Sequence, residues 1–293
     1  MGTLFLVATP IGNLEDMTGR AVRTLRDVSL IAAEDTRRTG QLLKHFGIAT
    51  PMVSYHVHNE RSRREHLLRV LHEGDLALVS DAGTPGISDP GLDLVRSAIA
   101  AGFVVSPIPG ASALAAAVGT SGLIPGPFVM LGFLPRRGPE RRRLIRVASD
   151  SGLPVVLFES AERLGASLFE LSTAWGERPA AVLREMTKLH EEVLRGPLGE
   201  LAIRLKAAPV RGEVVVVVGE GSAPSAVSEA EVERLLSELR RSELTPSAAA
   251  REASRITGLP RSDLYRLARL GKPLSGEGGN SPSVELKPEQ DEN

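Results

Sequence analysis

The stretch Asp81-Ala-Gly-Thr-Pro-Gly-Ile-Ser-Asp-Pro-Gly91 carries the densest chemical signal in the chain. Before it, Leu76-Ala-Leu-Val-Ser80 is a short apolar run that reads as a buried strand. After it, Leu92, Val95, Ala98 and Ile99 share one helical face. Three glycines, two prolines and two aspartates therefore occupy a strand-to-helix turn. In an open α/β sheet such a turn brings backbone N–H groups and a helix N-terminus to an anionic ligand group. An ordinary tight loop can have the same composition. The spacing fits neither G-x-G-x-x-G nor G-x-x-x-x-G-K-[ST], which removes the standard dinucleotide and P-loop readings.

Two further turns have the same character. Pro10-Ile-Gly-Asn-Leu-Glu-Asp16 leaves an N-terminal strand, and Pro107-Ile-Pro-Gly-Ala-Ser-Ala113 leaves another and enters an Ala-rich helix. If the strands are neighbours, the loops line one crevice, and their small residues let a ligand approach the backbone. Glu34-Asp35-Thr36-Arg37-Arg38 reads either as a self-neutralising turn or as a substrate contact, arginine on phosphate and carboxylate on hydroxyl. His56, His58, Asn59 and Glu60 form a polar cluster before a helix; no further ligand motif supports a metal there. Lys188, His190, Glu191 and Glu192 make either a charged edge or part of a cleft. Between Arg136 and Arg146 six arginines stand against one glutamate, which is either a solvated helix face or a phosphate contact.

Apolar runs of strand length alternate with segments of helical period, the pattern of an α/β protein with a mainly parallel sheet. Strands are expected at 3–9, 29–33, 76–80 and 103–108, with helices near 18–27, 37–45 and 60–72. Gly119 to Pro127 reads as a hinge. A second α/β lobe follows, with strands near 128–133, 154–159, 180–185, 190–195 and 213–218 and helices near 140–149, 162–174 and 198–206. Arg184 to Glu192 leaves no room for a helix, so an antiparallel hairpin and a mixed sheet are expected. The domain boundaries are then 1–118, 119–220, a helical module over 228–272 and a disordered tail over 273–293. In the module, Val232, Leu235, Leu236 and Leu239 follow a capping box of Ser228 and Glu231. Three short helices, with a Gly-containing turn before the last, resemble a helix-turn-helix. Residues 246–272 hold six Arg or Lys against two Asp or Glu, which suits phosphates or a plain packing module.

Composition bounds the rest. The 293 residues suffice for about two domains, and 42% hydrophobic content with 3% aromatic means cores of Val, Leu, Ile and Ala. A net charge of −1 leaves nucleic-acid attraction to local patches. The absence of cysteine excludes disulfides, thiolate nucleophiles and cysteine metal sites. With no signal-peptide pattern and no run of membrane-spanning length, a soluble cytoplasmic protein is expected.

Taken in order, Thr9–Asp16, Ala33–Arg37, Ser80–Pro90, Pro109–Ala113, Gly132–Pro135 and Arg184–Glu192 resemble the bacterial 16S rRNA cytidine 2′-O-methyltransferases. That family lies within the tetrapyrrole-methylase-like class of S-adenosylmethionine enzymes. The likeness covers about residues 3–220, and the C-terminal module is similar to the helix-turn-helix of the same enzymes. It implies two α/β lobes, the first sheet mainly parallel and the second mixed, with S-adenosylmethionine in the cleft between them. It also implies a homodimer and methyl transfer to a decoding-centre cytidine of the small ribosomal subunit, with no metal and no membrane.

By position, the cofactor contacts would be Pro10, Asp81, Ala82, Gly83, Thr84, Pro85, Ile87, Ser88, Gly110 and Ser112, together with loops of the second lobe. The cofactor carboxylate is expected on the backbone N–H groups of Gly83 to Gly86. Candidates for the base are Glu34, Asp35, His58, Glu60, Glu185 and His190. Arg37, Arg38, Arg136, Arg137, Arg141, Arg142 and Lys188 are the candidates for RNA. Tetrapyrrole enzymes carry Gly-Asp-Pro where this chain has Asp-Ala-Gly-Thr-Pro-Gly, which argues against a corrin or porphyrin substrate. A small-molecule methyltransferase would leave the arginine patch and the module without a purpose. For a regulator that senses S-adenosylmethionine, two full lobes and three loops are excessive.

Overall fold

The computed structural model describes residues 2–221, 229–241, 244–257 and 261–270. The chain divides into a unit over 1–223 and a second over 224–293. The first unit begins with a five-stranded sheet of β1 (Thr3–Val7), β2 (Leu30–Ala33), β3 (Met52–Ser54), β4 (Leu76–Val79) and β5 (Val104–Ile108). Its spatial order is β3-β2-β4-β1-β5 and every pairing is parallel. All four residues of β4 are buried, as expected for a central strand covered on both faces. One face is packed by α1 (Gly19–Asp27) and α2 (Thr36–His45) through Ala21, Leu25 and Leu43. The other is packed by α3 (Glu60–Glu73) and α4 (Leu92–Ala100) through Leu67, Leu71, Leu94 and Ala98. Strand β3 has no counterpart in the sequence reading, because three residues after a proline are too few to show a period.

The second sheet has the order β6-β7-β10-β8-β9, from β6 (Val129–Phe133), β7 (Val155–Ser160), β8 (Pro179–Arg184), β9 (Glu192–Pro197) and β10 (Glu213–Val218). Only β6 and β7 run parallel; β10 is antiparallel to β7 and β8, and β8 and β9 form the expected antiparallel hairpin. One face is covered by α6 (Pro139–Ser151), α7 (Ala161–Trp175) and α8 (Leu198–Ala207). α7 and α8 approach so closely at Gly165 that a Cβ there would lie 3.0 Å from the Lys206 Cα.

The other face is covered by α5 (Ala113–Ser121), whose Ala117 is buried with Val156, Ala181, Leu183 and Val217. The helix that leaves the first sheet thus belongs to the second. The hinge expected at 119–127 starts inside it, so the chain changes lobes earlier than its Gly and Pro content suggests.

In the second unit, α9 (Glu229–Arg241), α10 (Pro246–Thr257) and α11 (Arg261–Leu270) bury Val232, Leu236, Ala250, Ala253, Leu264 and Ala268 together. The expected linker over 221–227 (apart from Gly221), the Ser228 cap, the Gly258 turn and the tail over 273–293 lie outside the described residues. Among the described residues, no helix is long and apolar enough to cross a membrane.

Candidate functional site

Parallel pairing of β1 with β4 and β5 places three loops side by side at the carboxyl ends of the strands. They are tied to one another. Gly83 and Thr9 exchange two backbone hydrogen bonds, Thr9 N to Gly83 O at 2.9 Å and Gly83 N to Thr9 O at 3.0 Å. The Thr9 hydroxyl donates to Ser80 O at 3.2 Å, and the Thr84 hydroxyl donates to Ala111 O at 3.2 Å. The turn requires left-handed backbone at Gly83 (φ 83°) and Gly86 (φ 86°), which a glycine adopts without strain. Ser112 caps α5 by accepting from Ala115 N at 3.4 Å.

These loops border a cavity of about 900 Å³. The first lobe supplies Ile11, Ala82, Thr84 and Ile87 to its wall, and the second supplies Phe133, Phe158, Met186 and Val214. Phe133 and Phe158 stand with ring centroids 5.4 Å apart. Glu34, Asp81, Asp89, Ser112, Glu159 and Ser160 add polar groups. An apolar cavity of this size with polar groups at intervals is the form of a small-molecule site. Its residues fit S-adenosylmethionine: apolar walls and paired rings suit the adenine, and the polar groups suit the ribose and the amino-acid end.

Three carboxylates face one another at the first-lobe wall. Glu34 Oε2 accepts from Asp81 N at 3.2 Å, and Asp81 Oδ1 accepts from Asp35 N at 3.0 Å, so the β2 and β4 loops are cross-linked. Arg38 sits 3.4 Å from Asp81 Oδ2. Burial raises the pKa of Glu34, helped by the charge of Asp81. Asp89 is affected more: burial, reinforced by the negative charges of Glu34 and Asp81, pushes it up to about 6. The residue before it, Ser88, adopts φ 65°, a left-handed conformation rare outside glycine and frequent at functional sites.

The structure separates the expected base candidates. Only Glu34 lines the main cavity. Asp35 caps α2 by accepting from Arg37 N at 2.8 Å, and the Arg37 guanidinium holds its carboxyl well below the usual range. Glu60 accepts from Gly91 N at 3.0 Å and buttresses the 81–91 turn. Glu185 accepts from Glu213 N and Lys188 Nζ, both at 3.0 Å, and these bonds lower its pKa. His58 and His190 are exposed.

Of the expected cofactor residues, Asp81, Ala82, Gly83, Thr84, Ile87, Ser88 and Ser112 line the cavity. Pro10 lines a neighbouring hollow, Pro85 is buried within the turn, and Gly110 packs its backbone on Ala8. The N–H of Gly83 is already held by Thr9 O, so it does not serve a ligand carboxylate as expected. Asp89, Phe133, Phe158 and Glu159 were not singled out as site residues from the sequence, although Asp89 stands inside the 81–91 turn.

Arg37, Arg38, Arg136, Arg137 and Arg142 are exposed, as a phosphate contact requires. Arg141 is not; it is 6% exposed. Its guanidinium donates to Glu170 Oε2 at 2.7 Å, Pro135 O at 2.9 Å and Ser167 Oγ at 3.0 Å. Ser167 in turn donates to Glu159 Oε2 at 2.6 Å, and Arg163 pairs with Glu159 at 2.5 Å. Arg141 therefore anchors α6 to α7 and to the cavity wall, and its guanidinium is not available to RNA. Lys188 is held between Glu185 and Glu213 at 3.0 and 2.9 Å.

Comparison with known proteins agrees with this architecture. Residues 3–202 match the family model of tetrapyrrole (corrin/porphyrin) methylases, and residues 226–269 match the RsmI C-terminal HTH domain. The chain is 47% identical over 273 residues to a ribosomal RNA small subunit methyltransferase I from Synechocystis sp., covering 92% of this chain and 98% of the relative. It is 42% identical over 273 residues to the protein of the same name from Halalkalibacterium halodurans, covering 91% and 94%. Among solved structures, a uroporphyrin-III C-methyl transferase from Thermus thermophilus complexed with S-adenyl homocysteine shares the fold. Its TM-score is 0.54 at 20% identity, over 75% of this chain and 98% of that one. With the family model spanning both lobes, the chain belongs to the tetrapyrrole (corrin/porphyrin) methylase family and is a methyltransferase that uses S-adenosylmethionine.

Proposed function

We propose that this methyltransferase modifies the 2′-hydroxyl of a cytidine in the decoding centre of 16S rRNA, acting on the small ribosomal subunit as a cytoplasmic homodimer. The observation that carries the O-methylation is Asp89, a carboxylate on the cavity wall whose pKa of about 6 suits it to take a hydroxyl proton near neutral pH. The names of the relatives, which match over both lobes and the C-terminal module, support an rRNA substrate.

S-adenosylmethionine supplies a methyl group activated by its sulfonium. The chain supplies position and a proton acceptor. Asp81, Ala82, Thr84, Ile87, Ser112, Phe133 and Phe158 would hold the cofactor. Asp89 Oδ would take the proton of the ribose hydroxyl, whose oxygen would bond to the methyl carbon as the carbon–sulfur bond breaks and the neutral thioether leaves. Glu34 and Asp81 raise the proton affinity of Asp89 by their charge. The exposed Arg37, Arg38, Arg136, Arg137 and Arg142 attract the phosphate backbone.

The test is transfer of label from S-adenosylmethionine into 16S rRNA of small subunits, with 2′-O-methylcytidine identified after nuclease digestion. Labelling that is lost when subunits are omitted or replaced by DNA is the expected result. No label in rRNA at any assembly state would sink the reading. Deleting 223–293 is expected to weaken subunit binding while affecting cofactor affinity less. Equal subunit affinity with and without the module, across salt concentrations, would reduce it to a packing element.

A further inference from the structure

Two smaller hollows continue the main cavity outward. The first, of about 310 Å³, shares Ile11, Arg38, Asp81, Ala82 and Glu213 with the main cavity. The second, of about 540 Å³, shares Gly12, Leu14 and Lys188 with the first and opens at His45, Phe46 and Leu189. One wall of both is a single helix face. Arg38, Gln41, Leu42 and His45 recur on α2 at i, i+3, i+4 and i+7, spanning about 10 Å at the helical rise. The opposite wall is the turn between β8 and β9.

That turn is held in place. Glu185 and Thr187 adopt φ 49° and 64°, Thr187 N donates to Glu191 at 2.6 Å, and Thr187 Oγ1 accepts from Asn13 N at 3.1 Å. Gly12 lies so close to Lys188 and Thr187 that a Cβ would collide with both. Lys188 and Leu189 are thus presented by a rigid turn clasped to the 10–16 loop.

The chemistry changes along the path. Near the main cavity stand two cations, Arg38 and Lys188, each beside a carboxylate that lines the same hollow, Asp81 at 3.4 Å and Glu213 at 2.9 Å, so a phosphate there meets donors already partly shared. Lys188 gives two of its three donors to Glu185 and Glu213, which leaves one. At the outer end stand a ring pair, His45 edge-on to Phe46 at 4.8 Å, and Leu189, 93% exposed at the tip of the turn. Cations followed by rings and an apolar side chain, along a groove that leads to the reacting hydroxyl, match a nucleic-acid strand with its bases unstacked.

We propose that the two hollows form a track for the nucleotides flanking the modified one in a single-stranded stretch of RNA. Arg38 and Lys188 take phosphate in the first hollow. A neighbouring base lies against His45, Phe46 and Leu189 in the second. The proposal rests on the RNA substrate argued above. It adds that the target must be presented unpaired on at least one side.

The test uses the full chain and a His45→Ala, Leu189→Ala double variant, since both side chains are exposed and lie outside the packed cores. Steady-state transfer to small subunits is expected to show KM raised about 10-fold, in line with the loss of a stacking contact. The kcat and the cofactor affinity by calorimetry should stay within about two-fold. In parallel, a short single-stranded RNA carrying 4-thiouridine is photo-crosslinked to wild-type protein, with label expected in 45–46 or 187–189. An unchanged KM, or crosslinks confined to other segments, would overturn the track. If the wild-type protein crosslinks the RNA there but methylates no subunit, the function reading falls and the track stands.

Discussion

Asp89→Asn is expected to lower turnover by about 10²- to 10⁴-fold, the usual contribution of a positioned proton acceptor, with cofactor affinity little changed. In wild-type protein the rate should rise with pH and level off above about 6, where Asp89 is ionised. Glu34 and Asp81 interact with it, so the apparent value belongs to the cluster. Glu34→Gln removes one of the negative charges that raise Asp89 and should move the rising limb to lower pH. The stability effect has the opposite sign to the activity effect. An unfolded chain loses this proton near the ordinary value of 3.8, the folded one near 6. Between those values the folded state binds more protons, so stability falls as pH rises through the window, and the loss is complete above it. Asp89→Asn removes that cost, so the variant should melt above wild type at pH 8 and close to it at pH 4. Unchanged turnover in the variant would exclude Asp89 as the acceptor; equal melting at both pH values would show that its burial costs nothing.

Arg141→Ala is expected to cost about 3 kcal/mol, because it removes three hydrogen bonds of a buried charge and leaves Ser167 and Glu170 without a donor. The side chain of Glu170 is 42% exposed and can turn to water, which keeps the cost from being larger. A loss of this size lowers the melting temperature by about 6–12 °C. Arg142→Ala, one residue along and exposed, should leave melting unchanged. It should instead weaken RNA binding and reduce the salt slope of the affinity by about one. If Arg141→Ala melts like wild type, the network between α6, α7 and Glu159 is not a structural anchor.

Much of this fold can be read from residue order. Leu76–Val79 and Val214–Val218 are continuous apolar runs because both faces of their sheets are covered. The hairpin from Arg184 to Glu192 follows from the absence of room for a helix. Other features are hidden for identifiable reasons. An aspartate beside a proline in a glycine-rich turn reads as turn chemistry, and only the folded chain brings Glu34 and Asp81 against Asp89. Arg141 did carry a signal: with Ile145 and Ala148 it makes the i, i+4, i+7 set of buried positions on α6, and the run of arginines masks that period. The packing partner of α5 is not encoded in its own alanines, since small residues suit either sheet. Of the second-lobe wall, Phe133 stands inside the Gly132–Pro135 motif, while Phe158 and Glu159 come from a strand end with no motif spacing.

The pair of hydrogen bonds between Thr9 and Gly83 forms an isolated antiparallel bridge just beyond the parallel β1 and β4, joining what would otherwise be two separate loops. The floor of the cofactor cavity therefore acquires its backbone order when the lobe folds, and fixing it draws nothing from the free energy of ligand association. Both amides, of Thr9 and Gly83, are hydrogen-bonded and closely follow β1 and β4, so they should exchange with deuterium on the timescale of those strands, not of surface turns. A cavity with one such wall is shaped in advance on that side. Whatever adjustment admits the ligand falls to the other side, where Phe133 stands half exposed.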